Sequence, residues 1–161
     1  AHKRLNEAGL KNGLAASRWP GRCEIMQKDP LIVLDGAHNE ASAGVLAKTL
    51  AGFKAAGKLI LVLGVSRDKD IKGICGALAP LCQECIITMA DNPRALEASK
   101  IAQILKEYSP NIRVSQTRTV PAAVKDALGG ACRNDLIVVT GSLFIVGEAR
   151  EFLKKKEASA G

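Results

Sequence analysis

Asp35, His38 and Asn39 stand within the five residues DGAHN (35–39), straight after the aliphatic run LIVL. The Asp35 carboxylate is placed to accept from hydroxyls such as those of a ribose. Gly36 and Ala37 let the backbone turn and come close to a ligand. His38 reads either as a ligand-handling side chain or as a turn histidine bonded to the backbone. Asn39 reads first as the N-cap of a following helix, its amide oxygen taking an orphan N–H, and second as a ligand contact.

Three other short stretches carry comparable chemistry: GVSRDKD (64–70), ADNPR (90–94) and Gly141-Ser142. Ser142 would open a helix, where free N–H groups and the helix dipole make an anion site. No G-x-S-x-G surrounds it, so nothing marks it as a nucleophile. Acidic residues in a first helical turn complement the dipole, which accounts for Asp70. Lys69, between two carboxylates, is either a solvated ion pair or a carboxylate-binding cation. Arg22, after Trp19-Pro20-Gly21, offers a guanidinium suited to phosphate. Neither a G-x-x-x-x-G-K-[ST] loop nor G-x-G-x-x-G occurs. If the chain handles ATP, it holds one edge of the nucleotide and needs another domain for the rest.

The elements that must position these groups follow from the hydrophobic pattern. Residues 31–35, 59–64, 84–89 and 135–140 are near-continuous aliphatic runs, as in strands buried on both faces. Residues 22–27 and 112–116 are weaker strand candidates. Helix-length segments fall at about 40–54, 70–80, 94–107, 120–129 and 143–156, with prolines and glycines near their ends. A further short helix is expected over 1–13, then a linker over 14–21. The alternation predicts a Rossmann-like three-layer α/β/α fold: a mostly parallel sheet of about six strands with helices on both faces. Ligands bind such sheets beyond the carboxyl ends of the strands. All four polar stretches lie on that edge and could surround one ligand.

Composition narrows the partners. With 161 residues the chain fits one domain and perhaps a short extra segment. Aromatics are only 3%, so the core must be aliphatic. The net charge of +7 is scattered, with Lys154-Lys155-Lys156 the main run, and stacking platforms for nucleic acid are scarce. Moderate positive charge suits small phosphates and carboxylates instead. No stretch reaches the roughly 20 apolar residues of a membrane span. Five cysteines, an odd count without a secretion signal, are expected as free thiols in the cytoplasm. Cys82 and Cys85 form a lone C-x-x-C without the second pair that a structural zinc site wants.

Five stretches, taken together, resemble a known family. Trp19-Pro20-Gly21-Arg22-Cys23-Glu24, LDGAHN (34–39), DKD (68–70), NPRA (92–95) and GSLFIVGEAR (141–150) look like the C-terminal domain of folylpolyglutamate and dihydrofolate synthases, within the Mur ligase superfamily. The family usually has proline after DGAHN; here Glu40 stands there, and both residues suit a first helical turn.

The resemblance implies an ADP-forming amide-bond ligase. ATP phosphorylates a folate carboxylate, and the amino group of L-glutamate attacks the acyl phosphate. Arg22 and Asp35 would contact ATP, the latter through the ribose. His38 and Ser142 would serve at the reacting centre or, with Asn39 and Lys69, hold glutamate. Mg²⁺ would be held by a central ATPase domain, leaving no metal ligands here. By the same resemblance, residues 1–18 would close that domain and form the hinge, 19–153 would be the C-terminal domain, and 154–161 a basic flexible tail. The expected partners are that central domain, folate and glutamate, with no nucleic acid or membrane, in a monomer. On this reading the chain alone is inactive. The alternatives are a Mur-type peptidoglycan ligase domain and a non-catalytic nucleotide- or amino-acid-binding module.

Overall fold

The computed structural model describes all residues except 1–5, 17–18, 54–56 and 160–161. Helix α1 (Glu7–Ala16) precedes an alternation of β1 (Glu24–Lys28), β2 (Leu31–Leu34), α2 (Glu40–Gly52), β3 (Leu59–Leu63), α3 (Ile71–Leu78), β4 (Glu84–Ile87), α4 (Ala98–Tyr108), β5 (Arg113–Gln116), α5 (Val120–Gly130), β6 (Leu136–Thr140) and α6 (Leu143–Ala158). One sheet runs in the order β1-β2-β6-β3-β4-β5. All neighbours pair in parallel except β1 and β2, which are antiparallel.

Period-two alternation divides the aliphatic strands between two cores. Val33, Leu61, Leu63, Ile87 and Val138 pack with α2, α3 and α4 on one face. Ile32, Leu34, Ile60, Val62, Ile86 and Val139 pack with α5 and α6 on the other. β6 is buried throughout because it lies mid-sheet between β2 and β3. The three-layer architecture expected from the sequence is therefore present.

The topology also fixes where a ligand can sit. The helices after β2, β3 and β4 cover one face, and α6, after β6, covers the other. Chain direction thus diverges at the carboxyl end of β6, which opens a crevice there.

Several boundaries differ from the sequence reading. α1 passes through Gly13 to Ala16, because one exposed glycine costs a helix only about 1 kcal/mol; residues 14–16 are thus helix, not linker. α4 starts at Ala98 rather than near 94, since Asn92 Oδ1 takes the Arg94 N–H and Ala95 bridges Ser66. The expected tail from 154 is helix as far as Ala158. Lys155 and Lys156 fall in its last turn, where cations complement the dipole.

Candidate functional site

β2 stays in register until the Asp35 N–H bonds Val139 O, after which the Gly36 N–H turns away to Gly21 O at 2.7 Å. The Asp35 carboxylate then works as a staple. Its Oδ1 accepts from Ala37 N–H and its Oδ2 from Cys23 N–H, both at 2.9 Å. The loop 19–23 is thereby drawn over the end of β2. Gly21 sits at φ +71°, and a Cβ there would strike Val146 Cγ1 at 2.8 Å. Cys23 also has positive φ; burial, reinforced by the Asp35 charge, pushes its thiol pKa up. Arg22 is exposed, its guanidinium 5.2 Å from the Trp19 ring centroid.

His38 satisfies both readings. Its ring Nδ1 lies 2.8 Å from Gly36 O. A carbonyl can only accept, so Nδ1 carries the hydrogen, and Nε2 has no hydrogen-bond partner among the described residues. Asn39 is the N-cap of α2 in a capping box: its Oδ1 accepts Ser42 N–H at 2.9 Å, and Ser42 Oγ accepts Asn39 N–H at 3.2 Å. That structural duty engages its side-chain oxygen.

The end of β6 supplies Gly141, at φ +102°, where a Cβ would fall 2.6 Å from Gly64 O. Only glycine lets the two strand ends approach so closely. Ser142 follows as the buried N-cap of α6, its Oγ accepting Phe144 N–H at 3.2 Å. After β3, Asp70 caps α3 through Gly73 N–H at 3.0 Å. Lys69 Nζ lies 2.9 Å from Asp68 Oδ2. The Lys69 hydrogen bond, helped by the Asp68 backbone N–H, holds that carboxyl below its ordinary range. From the β4–α4 loop, Arg94 places its guanidinium 5.8 Å from the Phe144 ring centroid.

These groups surround a cavity of about 180 Å³ whose lining includes His38, Asp68, Lys69, Arg94, Ser142 and Phe144. All four polar stretches converge on it. Two cations against one carboxylate suit an anionic ligand, and the volume is below the roughly 300–1,000 Å³ usual for drug-sized molecules. Among the sequence candidates, His38, Lys69 and Ser142 share the cavity. Arg22 and Asp35 belong to the neighbouring loop, and Asn39 to the α2 cap. Arg94, Ser66 and Phe144 were not among the candidates, although ADNPR and GSLF were singled out as segments. Among the described residues, no group of three His, Cys, Asp or Glu side chains could hold a metal ion. Among the same residues, no helix is long and apolar enough to cross a membrane.

Polar loops carrying Lys69 and Arg94 gather at the carboxyl rim of a Rossmann-like sheet, and together these features define the class of domain. The family model for the Mur ligase, glutamate ligase domain, matches residues 21–143, and the chain belongs to that family. A probable bifunctional folylpolyglutamate synthase/dihydropteroate synthase of Halobacterium salinarum is 38% identical over 146 residues, 91% of this chain and 18% of that protein. Mycobacterium tuberculosis folylpolyglutamate synthase complexed with ADP superposes with TM-score 0.84 and 33% identity, covering 93% of this chain and 36% of that one. A bifunctional folylpolyglutamate synthase/dihydrofolate synthase solved with Mn, AMPPNP and L-glutamate bound gives 0.80 and 28%, over 96% and 36%. The chain thus spans between 18% and 36% of the length of these relatives.

Proposed function

We propose that the chain acts as the C-terminal domain of a folylpolyglutamate synthase, joining L-glutamate to a folate carboxylate with ATP hydrolysed to ADP and phosphate through an acyl phosphate. The observation that carries this reading is the convergence of Lys69, Arg94, His38 and Ser142 on one small cationic cavity beside the Asp35 staple. Lys69 and Arg94 hold the carboxylates of the incoming glutamate. Ser142 Oγ and the free Nε2 of His38 orient its amino group toward the acyl phosphate. Each Asp35 oxygen accepts one backbone N–H and keeps capacity for a ribose hydroxyl. Arg22 reaches the nucleotide phosphates.

The domain supplies one wall of the active centre, and a separate ATPase domain supplies the phosphate loop, the folate contacts and the Mg²⁺ ligands. The free thiols fit a cytoplasmic setting. The test is a glutamate-ligation and ATPase assay on the purified chain, alone and joined to such an ATPase domain. Turnover only in the joined form is expected. Clear turnover by the chain alone would sink the reading.

A further inference from the structure

Arg150 and Glu24, 126 residues apart, form a bifurcated contact: Arg150 Nε–H is shared between both Glu24 oxygens, each at 3.0 Å. The pair is largely shielded, with side-chain exposures of 29% and 21%. Glu24 makes one contact more. Its Oε2 also accepts the backbone N–H of Gly21 at 2.9 Å. Gly21 in turn gives its carbonyl to Gly36 N–H, and Cys23 gives its N–H to Asp35. Two residues of positive φ flank Arg22 in this loop. Glycine takes such backbone freely, but at Cys23 it persists only where the surroundings over-determine it. The surroundings here are Glu24 on one side and Asp35 on the other.

We propose that Glu24 and Arg150 are positioning residues for nucleotide binding: the pair fixes the Gly21 side of the loop, while Asp35 holds the Cys23 side, and so sets where the Arg22 guanidinium meets the phosphates. This rests on the reading of Arg22 as a nucleotide contact. Helix α6 is the common reference. Ser142 caps its start, and Arg150, eight residues on and about 12 Å along the axis, anchors the loop. A purely structural ion pair would need only its charges. A positioning pair also needs the carboxylate oxygen on Gly21 N–H.

The experiment uses the complete enzyme, with the ATPase domain present. Glu24→Gln and Arg150→Gln are expected to raise KM for ATP about tenfold, as displacement of a binding group does, with KM for glutamate unchanged within about twofold. In an Arg22→Ala background, Glu24→Gln should add nothing to KM for ATP, because the two changes act through one contact. The swap E24R/R150E should regain thermal stability but not ATP affinity, since a guanidinium cannot accept from Gly21 N–H. Additive effects with Arg22→Ala, or a swap that regains ATP affinity, would overturn the proposal. If Arg22→Ala itself left KM for ATP unchanged, the underlying assignment of Arg22 would fall and the proposal with it. A raised KM in Arg22→Ala beside a normal one in Glu24→Gln would overturn the positioning role alone.

Discussion

Asp35 Oδ2 accepts the backbone N–H of Cys23 at 2.9 Å, so the same carboxylate that faces the ligand rim also holds the loop leading into β1. On the proposed function, binding and architecture share one side chain. Asp35→Asn turns one acceptor into a donor opposed to an N–H, and it should destabilise the domain by about 1–3 kcal/mol. Urea unfolding of the purified chain reads this directly. A stability equal to wild type would mean the staple contributes nothing.

Ser142→Ala separates capping from ligand contact. Loss of the α6 cap should lower stability by about 1 kcal/mol. If Ser142 also meets the incoming amino acid, the complete enzyme should lose turnover by about a hundredfold at 25 °C, well beyond what the cap explains. Steady-state kinetics beside a melting curve decides: a normal kcat with the stability loss leaves Ser142 as a cap only.

Gly141→Ala forces a side chain into φ +102° and against Gly64 O. A penalty of about 1–3 kcal/mol for the backbone alone is expected, with the contact added to it. Far-UV circular dichroism against temperature would show a lower Tm. An unchanged Tm would mean that the two strand ends part without cost.

Three thiols on the face covered by α2, α3 and α4 set an alkaline limit. Burial, aided by the nearby Glu107 for Cys75 and by Cys75 for Cys82, pushes both up to about 12, and burial raises Cys85 well above its ordinary value. A folded pKa above the unfolded one stabilises fully below about pH 9, and that contribution is lost as pH rises toward 12. Each thiol therefore subtracts about 1.4 kcal/mol per pH unit in that window. Denaturant titrations at pH 8 and 10 should show the decline, shallower in Cys82→Ala. Thiol labelling at pH 8 should reach exposed Cys132 first, then Cys23, and the buried three only on unfolding.

What was legible in the sequence was what local pattern encodes. LIVL, LILVL and LIVVT announce buried strands because both faces of a central strand must be apolar, and the rim loops follow from where those runs end. DGAHN could be placed at the rim, and Asn39 as a cap, from spacing alone. Partners distant in sequence were not legible. Nothing near Glu24 in the chain points to Arg150, and Arg94 entered the cavity through a bridge between Ser66 and Ala95 that no periodicity records. The start of α4 misled for a related reason: RALEASKIA is rich in helix formers, but its first residues are held by other backbone.

β1 runs opposite to every other strand, and that direction decides which rim residues 19–23 reach. An edge strand parallel to its neighbours would have brought residues 19–23 in at the far rim, about 17 Å from the ligand loops for five residues. Because it is antiparallel, the entering chain meets the domain at the same rim as the cavity. Arg22, Asp35 and the cavity therefore share one rim, and the spacing among them is set inside this domain.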